Sequence, residues 1–581
     1  MTDPMRSRSD LQENGGELLG ERTAISLLFI FFCLMAWPLF RKELIFAPDI
    51  SHSFFKEIAL FQAWSAHNFL ARWTPDAVFG YGYPMLNFYA PLFSVWSVLW
   101  TFILRDFVLG FNAAMASSLF LSGLTMYYFA KKFWGPNGAF VSAIAYLYAP
   151  YHILDIYFRG ACAESLSFVF FPLVLLFIYR VHHKKNHSNL LWGSLSVAGL
   201  CLSHNIMGFL GMFLAFSFSV FLHFSDRQKT PLKLFRNFLV LGWGLALAAF
   251  FWLPAMAEKK FIHLDLIVSG TNAFQRHFPD FAKIFFSFFL MDEMGNMRYQ
   301  AGTAHILIAI IVLFLAKKNA SRNPELWRHA RFWAGVILVS FFFMIKLSSP
   351  FWEFSLLCRI MNFPWRFLTF VTFATSFLAG GIVFFCPKDR RKTTLITALA
   401  ALVLLNIVQC NPIGFTKIAI TNAREFLFSS RPGDSEENLP MWVSSVKNLP
   451  MPSPNRLTLR AEHATILSYK APSEIEHVYR LKSDSQDLAF FHTFYFPGWK
   501  VYIDGKETLV SVVPRVGAMG FTVPAGEHDL IVRFEETPIR MLSNIISLVS
   551  ALCLLLLAFF LGYRRLRSSN PPGGPKSLTI A

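Results

Sequence analysis

Long apolar runs, interrupted by short basic clusters, fill most of the first 410 residues of the chain. The runs lie at 23–40, 107–130, 137–154, 163–180, 190–203, 205–224, 236–256, 303–317, 332–346, 365–386, 393–410 and, near the other end, 541–563. Several approach the ~20 residues that carry a helix across a bilayer. The intervening clusters are Lys131-Lys132, RVHHKK (180–185), DRQKTPLKLFR (226–236), KKNASRNPELWRHAR (317–331), KDRRK (388–392) and RRLR (564–567). Lys and Arg concentrate in cytoplasmic loops, so these clusters are read as inside. The stretches 155–164, 203–205, 257–302, 347–364 and 411–540 then fall outside.

The segment 86–104 is apolar and nearly long enough to span. Were it to span, every later cluster would face the wrong way. It opens on a Tyr89-Ala90-Pro91 break. It is therefore expected to lie in the outer interface or to re-enter it, which is tolerated where protein covers the backbone. Residues 41–106 thus form one large outer loop. Within it, apolar positions of 53–72 recur at spacings of three and four, which predicts an amphipathic interfacial helix.

Beyond 410 the pattern changes to alternation. ATILSYKA (464–471), EHVYRLKS (476–483), LAFFHTFYF (488–496) and HDLIVRFEE (528–536) read as strands. GWKVYIDGKETLVSV (498–512) reads as two strands on an Asp504-Gly505 turn, and PAGEH (524–528) as another turn. The Pro- and Ser-rich stretch 411–455 reads as connector.

The expected architecture is a polytopic α-helical membrane protein of about 12 spans with a C-terminal extracytoplasmic β-sandwich-like domain. Its parts are a cytoplasmic tail (1–22), a transmembrane domain (23–410), the β-rich region (411–540), a last membrane helix (541–563) and a cytoplasmic tail (564–581). The first run continues into RKELIFAPD (41–49) without a small-residue cleavage site, so it is expected to be a retained helix.

Composition sharpens this. The chain is 54% hydrophobic and only 15% charged, against roughly 25% charged in soluble proteins. The net charge of +17 belongs to loops between apolar runs and gives no reason to expect nucleic acid. Seven Cys without a CxxC pair suggest neither a disulfide framework nor a metal cluster.

Ionisable groups at a membrane edge are expensive and point to function. Asp49 and His52, in FAPDISHSFF (46–55), follow the first span at a spacing of three that can place both on one helical face. A carboxylate there can act as general base or hold a divalent cation. RGACAES (159–165) offers Arg159 for a phosphate through paired hydrogen bonds and Glu164 as metal ligand or sugar-hydroxyl acceptor, or else an Arg159–Glu164 pair that closes the loop. FPWRF (363–367) places Arg366 at headgroup level, where it either snorkels or clamps a lipid phosphate. His204, at an outer turn, either bonds across helices or joins the donor-binding set.

The blocks PDISHSFF, RWTPDAVFGYGYPMLNFYAPL, APYHILDIYFRGACAESLSFVFFPL, SHN, WLPAMAE and FPWRF resemble those of the bacterial membrane proteins labelled 6-pyruvoyl-tetrahydropterin-synthase-related. FHTFYFPGWKVYIDGK and VPAGEHDLIVRF resemble the outer β-domain of YfhO-type membrane proteins. That family in turn resembles the C-type (GT-C) glycosyltransferase superfamily. The resemblance implies transfer of a sugar from a polyprenyl-phosphate donor to an envelope glycan, lipid or protein on the outer face of the bacterial inner membrane. It also implies an essential acid in the first outer loop, where Asp49 stands, an acidic motif after the third span, where Glu164 and Asp155 stand, and a late non-spanning helix in the first loop. Asp49 would be the base and His52 would orient it. Arg159 and Arg366 would hold the phosphate, with Glu164 and His204 on the donor side. The superfamily's acid-x-acid pair is missing, since Ile50 and Ser51 follow Asp49. A divalent cation, Mg or Mn, held by Asp49 and Glu164 is left open. The alternatives are a transporter or flippase of lipid-linked sugars, and a non-catalytic scaffold.

Overall fold

The computed structural model describes residues 18–569 apart from 264–272, 286–288, 292–295, 356, 421, 430–437, 447–448 and 461–463. Most of the two expected tails, residues 1–17 and 570–581, lies outside the described residues. The principal helices are α1 (Glu21–Ala36), α2 (Ile50–Ser65), α3 (Leu92–Leu104), α4 (Phe107–Leu147), α5 (Cys162–His183), α6 (His187–Ser203), α7 (Asn205–Ser225), α8 (Pro231–Leu247), α9 (Ala249–Glu258), α10 (Thr303–Lys318), α11 (Pro324–Phe343), α12 (Leu368–Ala379), α13 (Arg391–Leu404) and α14 (Pro538–Ser569).

Among the described residues, six helical segments are long and apolar enough to cross a membrane. The number rises to eight if two bent pairs, α8 with α9 (70°) and α11 with 346–354 (84°), each count as one span. The expected twelve is therefore not reached by length and composition. One reason is α4. Its 41 residues count once but hold both runs, 107–130 and 137–154, which reverse at Gly135 (φ 68°, ψ −178°) and pack side by side, so that a Cβ on Gly123 would lie 2.9 Å from the Leu147 side chain. The other is that α6, α10 and α13 have 17, 16 and 14 residues, short of ~20.

Helix α3 has 13 residues and stops at Arg105, whose φ of 54° is left-handed. At 1.5 Å per residue it covers about 20 Å of a ~30 Å hydrocarbon core. It packs along α4 and against α2. Helix α2 differs from the expected interfacial helix. Residues 53–60 are all buried, including Lys56 and Glu57. The reason is a polar tie: Ser97 and Thr101 of α3 donate to Glu57 at 2.6 and 2.5 Å.

The C-terminal region is all-β. Strands β1 (Leu44–Ile45) and β2 (Phe415–Thr416) pair the loop 41–106 with the stretch after 410. The remaining strands are β3 (Leu457–Leu459), β4 (Ala464–Ser473), β5 (Glu476–Ser483), β6 (Asp487–Phe494), β7 (Trp499–Ile503), β8 (Lys506–Thr508), β9 (Ser511–Val512), β10 (Ala518–Val523) and β11 (Gly526–Phe534). They form antiparallel sheets ordered β3-β6-β10-β9 and β4-β5-β11-β7-β8. Asp504 (φ 49°) and Gly505 (φ 77°) turn β7 into β8, the double left-handed geometry that suits hairpin twist. The PAGEH turn instead passes from one sheet to the other, since β10 and β11 have different partners.

The long loop 41–106 is clamped between the β region and the helices. Trp73 is buried against Phe496, Trp499 and Phe534 at ring distances of 6.2, 5.7 and 5.7 Å. Gly82, with φ of +82°, lies so close to the Trp73 indole that a Cβ would come within 2.4 Å. Asp76 meets Arg424 at 3.0 Å and Arg456 at 3.2 Å. On the other side, Glu258 pairs with Arg540 at 2.9 Å and accepts from Asn87 and Thr537.

Candidate functional site

The centre of the site is built by the turn that precedes α5. Residues Leu154–Arg159 form one wide π-turn, ended by Gly160 in the left-handed region (φ 70°). This turns Arg159 back onto its own neighbours. Its Nη1 donates to Asp155 Oδ1 at 2.5 Å and to Glu164 Oε2 at 3.1 Å. Tyr151 donates its hydroxyl to Glu164 Oε1 at 2.7 Å. Arg366 brings Nε to 3.4 Å from Glu164 Oε2. Asp155, Tyr151 and Glu164 are fully buried, and Arg159 nearly so. Two arginines therefore face two carboxylates, which is what allows such charges to sit in an apolar interior.

Gly160 also fixes Asp49. A Cβ on Gly160 would lie 2.5 Å from the Ile50 side chain and 3.0 Å from its backbone nitrogen. The absence of a side chain lets the start of α2 press against the turn, and the Asp49 N–H donates to the Arg159 carbonyl at 2.9 Å. The two stretches singled out in the sequence are thus joined through backbone. The Asp49 carboxylate is exposed, makes no cap bond to α2, and forms no ion pair among the described residues.

His52 is placed differently from the expected orienting role. No bond links it to Asp49 among the described residues. Its ring packs edge-on against Tyr89 at 4.8 Å, and its buried Nε2 has no partner. Burial, helped by the Lys56 ammonium, pushes His52 down to about 3, so it is neutral at ordinary pH. His204 caps α7, with Nδ1 accepting from the Met207 N–H at 3.1 Å. It lies within the field of Arg366 and Glu164. Arg366 stands beneath an aromatic cover: Tyr299 stacks on Trp365 at 4.1 Å, and His277 meets Phe363 and Trp365 edge-on.

The structure adds groups that sequence reasoning did not assign to the site. Tyr151 completes the Glu164 shell. Lys56 lies one turn beyond His52 with its ammonium 4.2 Å over the Tyr89 ring. Burial pushes it down to about 8. Glu57, on the opposite side of α2, is pushed up to about 8 by burial, against the pull of its Ser97 and Thr101 bonds. A carboxyl that holds its proton more tightly in the folded state than at its ordinary 4.5 stabilises the fold at low pH. That contribution is lost progressively as pH rises from about 4.5 through about 8. Glu57→Gln is expected to flatten the fall in thermal midpoint across that window, measured on detergent-purified protein. An unchanged pH profile would mean that Glu57 ionises without affecting the fold.

A divalent cation does not fit these residues. Both Glu164 oxygens are taken up by Tyr151 and the arginines, whose charge opposes a second cation. No group of three His, Cys, Asp or Glu that could hold a metal occurs among the described residues.

Comparison with known proteins gives three findings. An uncharacterized protein of Lactococcus lactis subsp. cremoris (strain MG1363) is 21% identical over 251 residues, covering 40% of this chain and 39% of that protein. The arabinofuranosyltransferase AftD from Mycobacteria matches 69% of this chain at 14% identity and a TM-score of 0.44, with 28% of its own length covered. The Archaeoglobus fulgidus oligosaccharyltransferase, solved with a tethered acceptor peptide, matches 72% of this chain at 13% identity and a TM-score of 0.41, with 60% of its length covered. The chain thus spans less than two thirds of each of these relatives. Residues 86–413, more than half of the chain, match the 6-pyruvoyl-tetrahydropterin synthase related domain. The match takes in Arg159, Glu164, His204 and Arg366 and begins after Asp49. The chain belongs to this family of membrane proteins.

Proposed function

We propose that the protein is a membrane glycosyltransferase that moves a sugar from a polyprenyl-phosphate donor to an envelope glycan, lipid or protein. The observation that carries this reading is the state of Asp49: an exposed, unpaired carboxylate, anchored by its own backbone to a buried, charge-balanced arginine cluster. In the reaction, the acceptor oxygen attacks the anomeric carbon and the bond from that carbon to the lipid phosphate breaks. The phosphate leaves with the electron pair, and Asp49 takes the acceptor's proton. Arg159 and Arg366 stabilise the site electrostatically. The domain boundaries, the outer position of the site, the bacterial inner membrane and the cytoplasmic termini are part of this proposal.

The test is transfer from a panel of radiolabelled polyprenyl-phosphate sugars by the purified full chain. Turnover with at least one donor is expected; none with any donor overturns the reading. The pairing of Arg159 with Asp155 and Glu164 favours a non-catalytic scaffold as the second reading, and that outcome would select it. A transporter is less well supported, because the candidate groups gather at one end of the helices rather than in two repeated halves. The topology has its own test. A cysteine introduced beside Arg105 is expected to react with an impermeant thiol reagent added from outside, and labelling from the cytoplasm alone would mean that 86–104 spans.

A further inference from the structure

A cleft of about 160 Å³ opens beside the candidate site, between α2, α3 and the α8–α9 bend. Two cations line it, Lys56 and Arg72, and they are only 7% and 5% exposed. Lys56 has no carboxylate within ion-pair distance among the described residues; its ammonium sits over the Tyr89 ring, with Asp49 acting on it only from farther off. Arg72 spends one nitrogen on the Phe250 carbonyl at 2.7 Å and on Asn544 at 3.2 Å, while its Nε–H has no hydrogen bond and lies 3.8 Å from Glu536. The Trp64 indole N–H, also at the cleft, is buried without a partner. An unpaired buried ammonium and two unused donors are each unfavourable unless something anionic completes them.

The rest of the wall is apolar, with Leu60, Leu86 and Phe251 inside and Phe69 and Leu70 at the mouth. Phe69 and Leu70 are 64% and 52% exposed, an apolar rim suited to hydrocarbon rather than water. The contrast with the central cluster matters. Arg159 and Arg366 already face Glu164 and Asp155, whereas at the cleft only Arg72 has an acid, Glu536 at 3.8 Å, and Lys56 has none within ion-pair distance among the described residues.

We propose that this cleft binds the phosphate of a lipid, with Lys56 contacting the phosphate, Trp64 and Arg72 donating further bonds, and the lipid chain leaving over Phe69 and Leu70. The lipid is either the sugar carrier or a bilayer phospholipid; taking it as the carrier rests on the transferase reading above. Lys56 would then hold the donor two turns along α2 from Asp49.

The experiment uses the full chain purified in an uncharged detergent, with binding and thermal unfolding followed for a polyprenyl phosphate, the free polyprenol, phosphatidylglycerol and inorganic phosphate. The polyprenyl phosphate is expected to bind at least about tenfold more tightly than the polyprenol, as a charge-assisted contact predicts, and to raise the midpoint. Lys56→Met should lose that preference while its ligand-free midpoint holds or rises, because an unpaired buried charge has been removed. Val95→Trp, which fills the cleft and leaves Lys56 in place, should lose it as well. Equal binding of phosphatidylglycerol with the same dependence on Lys56 upholds a lipid-phosphate site and assigns it to bilayer lipid. Polyprenol binding as well as its phosphate, inorganic phosphate reproducing the full shift, or a preference unchanged in Lys56→Met would each overturn the proposal. Wild-type protein that binds but never transfers sinks the transferase reading alone; transfer without Lys56-dependent binding sinks only this one.

Discussion

Arg159→Leu is expected to lower the thermal midpoint sharply or to prevent accumulation of folded protein. The substitution removes the partner of two fully buried carboxylates, Asp155 at 2.5 Å and Glu164 at 3.1 Å. Arg366, at 3.4 Å, remains for Glu164 alone. Breaking a buried pair in this way costs about 3–5 kcal/mol, because the surviving charge is left uncompensated. That is a large share of the ~5–15 kcal/mol by which domains are stable. Arg159→Lys should fall between, keeping the charge while a shorter ammonium replaces the single Nη1 that donates to Asp155, Glu164 and Tyr151. The triple replacement Asp155→Asn, Arg159→Leu, Glu164→Gln should recover much of the loss, since no buried charge is then orphaned apart from Arg366. An Arg159→Leu protein with a wild-type midpoint would show that the network is not closed as described. Activity of the triple variant separates the two roles of the cluster. Stability recovered without turnover means that the charges serve the reaction, whereas both recovered means that they serve only the fold.

The convergence of Asp49, Arg159, Glu164 and Arg366 was legible because each is an ionisable group at the edge of an apolar run, where chance retention is unfavourable. Of their contacts only the Arg159–Glu164 pair was legible, as one of the two readings of RGACAES. That Arg159 turns back onto Asp155 depends on one π-turn and the left-handed Gly160, and neither has a periodic signature. Tyr151 looked like one more aromatic among many. Lys56 and Glu57 were hidden for another reason. Apolar residues at spacings of three and four make the same pattern whether the far side of the helix meets water or a second helix. Polar positions on α2 therefore read as an exposed face, and only the packing of α3 against it reveals that both are buried. The span count differs for another reason: the basic Lys131-Lys132 pair reads as a loop between two spans and the chain does reverse just beyond it, at Gly135, so counting by continuous helix length joins two runs that the sequence separates. In the β region the Asp504-Gly505 hairpin was legible from its turn residues alone. Strand β10 was not read from the pattern, and the assignment of β10 and β11 to different sheets depends on pairing that alternation does not encode.

Asp49→Asn is expected to lower the transfer rate by about 10²–10⁴-fold, the usual contribution of a positioned general base, with little change in stability. Two features make it a clean probe. Asn serves at a helix N-terminus about as well as Asp, and the Asp49 side chain makes no cap bond that could be lost. The anchoring bond to Arg159 comes from the backbone N–H, so it survives the substitution and the position of residue 49 should too. A base that acts only as the proton moves affects the transition state and not donor binding, so the loss should appear in kcat with KM for the donor nearly unchanged. Ile50 and Ser51 supply no second acid, and the nearby Asp155 and Glu164 are buried and tied to Arg159, so neither is free to take the proton in the variant's place. Asp49→Glu should retain more activity than Asn if the carboxylate is the working group, and no more than Asn if only the shape of the side chain matters. A loss confined to KM would place Asp49 in donor binding. Wild-type turnover by the Asn variant would remove it from the reaction, leaving its exposed carboxylate as an interface charge beside a structural cluster.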